Sequence, residues 1–246
     1  MPLPIGTLIN VVTVLTGTLL GTVLGGRLPE RIRETVIHSL GLVTLLVGVD
    51  AGLHAFRPPL TEAAPRASVL LVMGSVLVGG ILGELLGIER GLTRFGDALR
   101  RRFGRGQSRF TEGFVVASLV FCVGPLTILG SIQDGLRGDY RLLAIKALLD
   151  GFAALAFASA LGWGVGFSAL TILIYQGGLT LAAASVAGVF TGPEGDVLVD
   201  AMTAVGGVMI LGIGLRLLEL RKVRVANLLP ALVLAPVAFA LVRGLG

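Results

Sequence analysis

The sequence predicts an all-α fold, a polytopic transmembrane helical bundle of about eight spans with one broken helix and internal helix-pair repeats. Three observations carry this. Hydrophobic residues make up 54% and charged residues 14% of the 246 positions, and the mean hydropathy is +0.92, more apolar surface than a soluble core of this size can hide. Uncharged runs long enough to cross a bilayer recur along the whole chain. The charges, largely arginine, are gathered between those runs.

With roughly 20 apolar residues needed per crossing, spans are placed near Ile5 to Gly25, Val36 to Ala55, Ser68 to Gly87 and Phe114 to Ile132, then near Leu142 to Leu161, Val165 to Val189, Leu198 to Leu218 and Val225 to Val242. The first is expected to be a retained span and not a signal peptide, because its start lacks a basic region and its apolar run is too long. The whole chain reads as a single integral membrane domain, 1–246, containing an arginine-rich cytoplasmic linker over 88–111. Arg27, Arg31 and Arg33, the seven arginines from Arg90 to Arg109, and Arg221, Lys222 and Arg224 fall on one side if every span crosses. That side is then the cytoplasm and both termini lie outside. Arg137, Arg141 and Lys146 are the misfit, and a re-entrant fourth segment would invert everything after it.

The fourth span is the unusual one. Gly124-Pro125 interrupts it, since proline removes a backbone donor and clashes with the preceding turn. Freed backbone groups in lipid must find partners within protein or line a wet cavity. Gln133 and Asp134 follow the break; a carboxylate, an amide and freed carbonyls would suit a cation or a hydrogen-bonding solute. Gln133-Asp134-Gly135 reads equally as a turn at the membrane surface. Lys146 and Asp150 share a face of the fifth span, as an intrahelical ion pair or as a pair that one partner leaves when a proton or cation arrives.

Asn10 and Gln176 are buried amides that want interhelical partners in lipid. Asp50, Glu84 and Asp200 lie near span ends and are expected to be solvated, and Arg216 is expected to snorkel. The small-residue series Gly17, Gly21, Gly25 and Gly79, Gly83, Gly87 let backbones approach closely, inside the bundle or at a homo-oligomer seam. The same glycines, with TLLVGVDAGL from Thr44 and TILGSIQDGL from Thr127, suggest two helix-pair repeats.

Other chemistry lacks its residues. Cys122 is the single cysteine, so no disulfide framework or cysteine metal site is expected. His38 and His54 lack HExxH or carboxylate spacing, and no GxSxG elbow occurs. An enzyme, a metal centre and a cofactor are therefore not expected. The basic residues read as topology signals and headgroup contacts, not a nucleic-acid surface. The expected partners are the bilayer, a small ion or polar solute, and further copies of the chain.

The run EGFVVASLVFCVGPLTILGSIQDGLRGDY, continuing through KALLDG, with the opening GTLIN, LPERIRETVIHSLGL and AVGGVMILGIGLRLLELRKVRVANLLPAL, resembles the YdfK/YqgA family of bacterial inner-membrane proteins, a domain of unknown function. Gly124, Pro125, Gln133, Asp134, Gly135, Lys146, Asp150 and Gly151 match its motif. The resemblance implies a multi-pass protein of the bacterial cytoplasmic membrane and no particular activity. The residues themselves point to a transporter or channel whose path involves Gln133, Asp134, Asp150, Lys146, Asn10 and Gln176. A non-transporting scaffold or sensor component is the alternative.

Overall fold

An apolar run without internal charge has one low-energy form in hydrocarbon, a helix that satisfies its own backbone. The computed structural model describes residues 4–25, 29–65, 67–103, 109–122, 125–183 and 192–244. Its long helices are α1 (Ile5–Gly25), α2 (Glu30–Gly52), α4 (Ser68–Leu86) and α5 (Ile88–Phe103), then α6 (Phe110–Cys122), α7 (Pro125–Arg137), α8 (Arg141–Leu161) and α9 (Ser168–Leu181), and finally α10 (Gly192–Leu217) and α11 (Ala231–Gly244); α3 is the short Leu60–Ala63. Seven helical segments are long and apolar enough to cross a membrane, and the bent pair α6–α7 makes an eighth. Large apolar side chains such as Leu46, Leu85 and Ile174 are more than 70% exposed. Only hydrocarbon makes that much outward-facing leucine and isoleucine favourable.

The chain forms two compact units, Met1–Leu40 with Leu92–Gly188, and Gly41–Gly91 with Val189–Gly246. In the first unit, α1 and α8 run parallel in close contact. A Cβ at Gly17, Gly21 or Gly25 would come within 2.2 Å of the carbonyl oxygens of Gly151, Leu155 and Ser159. The glycine face of α1 is thus consumed by α8. Helix α9 runs antiparallel to α1, with Gly166 beside Thr18 and Gly177 beside Thr7.

The geometry of this unit decides whether the fourth segment crosses. Phe110, at the start of α6, packs on Gly164, level with the far end of α1, where Gly25 meets Ser159. Asp134, near the end of α7, reaches Gly6 at the beginning of α1. The α6–α7 pair therefore traverses the same depth as α1 and is a broken span, not a re-entrant loop. The two halves meet at 63°; Gly124 lies outside the described residues, and Pro125 opens α7, where a missing N–H costs nothing. Thr127 donates its hydroxyl to the Phe121 carbonyl at 3.4 Å, a partner for backbone at the break.

In the second unit, α2 from Gly41 onward runs antiparallel to α10, with Gly48 beside Leu211 and Gly207 against Ala51 and Gly52. Gly79 and Gly83 of α4 approach Ala231 and Asn227. Gly87 ends α4 at φ +66° and capped by its own N–H to Glu84 and Gly83 carbonyls, the left-handed stop that glycine allows.

One open reading is decided and two segments are placed. The 88–103 part of the stretch read as a linker is the helix α5, charged along one side with Gly96 buried on the other. Gln133-Asp134-Gly135 is not a turn but the interior of α7, because Gly135 lies against the Thr180 carbonyl and Ala183 of α9. The sixth span is described to Leu181 as α9; its continuation over 184–189 lies outside the described residues.

Candidate functional site

Burying a polar side chain in a span is costly unless another span answers it, so polar groups in the first unit find each other. The Asn10 amide nitrogen donates to Asp150 Oδ2 at 2.9 Å and to Gln176 Oε1 at 3.0 Å. Gln176 Nε2 donates to Thr7 Oγ1 at 3.2 Å. Lys146 Nζ pairs with the same Asp150 oxygen one turn along α8. Thr7, Asn10 and Gln176 are at most 1% exposed, and Lys146 and Asp150 are 6% and 8% exposed. Ser131 of α7 and Thr180 of α9 both donate to the Gln176 carbonyl.

Asp134 sits beside this cluster, at the end of α1. Its Oδ2 accepts the Gly6 backbone N–H at 3.0 Å. No acidic side chain lies in the first turn of α1, so a carboxylate from α7 takes the place of a local cap and faces the positive end of the helix dipole. A Cβ at Gly6 would lie 3.1 Å from that carboxylate.

Two acceptors are left over. Asn10 Oδ1 and Asp134 Oδ1 are buried and without a hydrogen-bond partner, and Gly6 and Asn10 are one helical turn apart on α1. The amide orientation of Asn10 follows from its two acceptor neighbours, which both require its NH2 group. What remains is an oxygen-rich edge bordered by a buried ammonium-carboxylate pair.

Of the sequence candidates, Asn10, Lys146, Asp150 and Gln176 join one network, and Asp134 lies a turn of α1 away. Gln133 is half-buried and makes no side-chain hydrogen bond among the described residues. Thr7, Ser131 and Thr180 were missed; Thr7 was findable, since it precedes Asn10 by three and shares its face.

The second unit corrects three readings. Glu84 is not simply solvated, since it accepts Arg224, Arg90 at 3.2 Å and Asn227 at 2.6 Å. Arg216 does not snorkel freely but donates to Glu89 Oε1 at 2.8 Å, while Glu89 Oε2 accepts the Ala226 N–H and Asn227 Oδ1 accepts the Glu89 N–H. These bonds form a closed clasp between the α4–α5 junction and the start of α11. His54, for which sequence spacing offers no carboxylate, has Nδ1 3.1 Å from Asp200 Oδ1. Among the described residues, no group of three or more His, Cys, Asp or Glu side chains is placed to hold a metal ion.

The chain matches the family described as "Protein of unknown function (DUF554)" over residues 5–240. It belongs to the DUF554 family. Two relatives extend the match over nearly the whole chain. "Uncharacterized membrane protein YdfK" of Bacillus subtilis (strain 168) is 30% identical over 242 residues, covering 98% of each chain. "Uncharacterized protein YqgA" of Escherichia coli (strain K12) is 33% identical over 237 residues, covering 94% of each. No solved structure matches. The DUF554 match includes every element of the polar cluster, from α1 through α9.

Proposed function

We propose that this protein is a transporter or channel for a small ion or polar solute, with its site at the buried cluster of Asn10, Lys146, Asp150 and Gln176 and at neighbouring Asp134. The observation that carries this reading is the pair of unanswered acceptors, Asn10 Oδ1 and Asp134 Oδ1, beside an ion pair inside the spans. A cation, a proton or a solute rich in donors is the chemical complement of that edge. Protonation of Asp150, or a cation arriving beside it, would release Lys146 from its carboxylate partner and alter the charge lining the path.

The broken span supports the same reading, because a helix interrupted within the membrane brings backbone and acceptor groups to a depth that continuous helices do not. We place the arginine-rich face of α5 and the Arg221 to Arg224 turn in the cytoplasm and both termini outside, in the bacterial inner membrane. The matched glycine series supports the two-repeat reading, and its packing, on the parallel α8 for Gly17 and Gly21 and on the antiparallel stretch of Asn227 and Ala231 for Gly79 and Gly83, stays within each unit. That packing assigns those glycines within the chain, so a homo-oligomer would use other faces.

A scaffold or sensor role is the second reading. It is favoured by the fact that Asp150 already has Lys146 and Asp134 already caps α1. Proteoliposomes loaded with a pH dye and a sodium or potassium indicator separate the two. The transporter reading expects cation or proton flux that falls at least tenfold in Asp150→Asn and Asp134→Asn. Flux that is absent with every cation tested, or unchanged in both variants, sinks it in favour of the scaffold.

A further inference from the structure

The buried hydrogen bonds of the first unit have a direction. A side-chain amide can turn either its oxygen or its NH2 group to a neighbour, and a hydroxyl can donate or accept, whereas an ionised carboxylate only accepts. Asn10 Nδ2 donates to Asp150 Oδ2 and to Gln176 Oε1, and Gln176 Nε2 donates to Thr7 Oγ1. Of these four groups, the carboxylate alone has no choice.

That constraint orders the rest. Because Asp150 accepts, Asn10 must present its nitrogen, and the same nitrogen reaches Gln176, which must answer with its oxygen and turn its own NH2 group to Thr7. Lys146, a donor without acceptor capacity, uses the same Asp150 oxygen and reinforces the order. Near the pair, the titratable groups from other helices are the Cys122 thiol at the end of α6 and, beside it, Tyr175 of α9; α1 presents the Asn10 amide.

The order is paid in one unanswered group, since Asn10 Oδ1 is buried without a donor, an unfavourable state in an interior. Turning both amides over would keep every contact. Asn10 Oδ1 would accept from Gln176 Nε2 and from a donor at position 150, and Gln176 Oε1 would accept the Thr7 hydroxyl. The bare oxygen would then be answered twice. Only a residue 150 that cannot donate forbids it.

We propose that Asn10 is a positioning residue that transmits the charge of Asp150 to Gln176 and sets whether the edge beside it offers an acceptor or a donor. With Asp150 ionised, the bare Asn10 oxygen suits a cation. With position 150 neutral and donating, both amides turn over, an NH2 group replaces that oxygen, and a cation is no longer favoured. The relay rests on the transporter reading for its use, because it makes the affinity of that site follow the state of Asp150. The amide orientations stand whether or not anything is carried.

Asparagine occurs twice, at Asn10 and Asn227, and glutamine three times, at Gln107, Gln133 and Gln176. Five side-chain NH2 groups can therefore be followed one by one in nitrogen-15 NMR of the full chain in detergent micelles, with Asn10→Leu and Gln176→Leu assigning two of them. The charge swap Lys146→Asp with Asp150→Lys keeps an ion pair but places a donor-only ammonium at position 150. It should shift the NH2 signals of both Asn10 and Gln176, and the Asn10 hydrogens, no longer donated, should exchange with deuterium about fivefold faster or more; Asn227 should not move. In an Asn10→Leu background the same swap should leave the Gln176 signal in place, whereas a merely structural Asn10 would let the swap disturb Gln176 in either background. If the swapped chain loses its unfolding transition, Lys146→Met with Asp150→Leu removes the acceptor and is read in the same way. A Gln176 signal that stays unmoved, or that moves equally with and without Asn10, overturns the proposal. Neither result involves flux, so failure of the relay and failure of the transporter reading are seen separately.

Discussion

At the scale of single residues, the buried ion pair has the largest consequence. Removing one partner leaves the other charged, desolvated and alone, which costs about 3–5 kcal/mol. Lys146→Met should therefore lower the unfolding midpoint sharply, while Lys146→Met combined with Asp150→Leu should recover most of the loss; denaturation in bicelles measures both. Asn10→Leu removes the two donors that join Asp150 to Gln176. At about 1 kcal/mol per interhelical hydrogen bond in lipid, it should destabilise by roughly 1–2 kcal/mol and affect transport more than its stability cost suggests. Outside the spans, Asp139 accepts the Arg141 side chain and backbone N–H, and those bonds hold its carboxyl below the usual carboxylate range. A depressed folded pKa means stability that is complete above the unfolded pKa and lost as pH falls through the folded one. Asp139→Asn should accordingly lower the midpoint slightly at neutral pH, leave it nearly unchanged in acid, and so flatten the acid limb of a midpoint-against-pH curve.

At the scale of helices, backbone proximity matters more than hydrophobicity. Gly21 has the Leu155 carbonyl 2.2 Å from where a Cβ would stand, and at Gly135 the Thr180 carbonyl is 2.1 Å away. Gly21→Ala must push α1 from α8, and Gly135→Ala must push α7 from α9; each should destabilise by about 1–3 kcal/mol. Gly74→Ala is the control, because nothing lies within 4 Å of its Cβ position; thermal unfolding of the three variants checks the contrast. The small-residue spacing was visible in the sequence, but whether it faced a neighbour in the same chain or another copy was not. Spacing records a face, and only the opposing carbonyls identify the partner. For α7 the Asp-Gly dipeptide left a surface turn equally open, since close packing on α9 gives the glycine a reason that local turn statistics do not contain.

At the scale of the molecule, the decisive feature is the number of crossings. Because α6 begins level with Trp163 and α7 ends level with Gly6 in the first unit, the broken segment counts as one passage. On the proposed reading, in which all eight candidate segments cross, the chain returns to the side from which it started. Reporter fusions or impermeant labelling at residues added to each terminus should therefore give the same sidedness for both ends, and opposite sidedness would require a segment here assigned as a span to turn back.

Residue order alone was enough for the class of protein and the approximate ends of most spans, because hydropathy and length act over one or two helical turns. It also singled out Asn10, Lys146, Asp150 and Gln176, since polar groups in long apolar runs stand out one at a time. It could not join them: Asn10 and Gln176 lie 166 positions apart, His54 and Asp200 are likewise distant, and the clasp of Glu84, Glu89, Arg216 and Arg224 unites the two ends of one unit. Such encounters depend on which glycine faces let which backbones approach, and that is settled when helices pack together, not when each one forms.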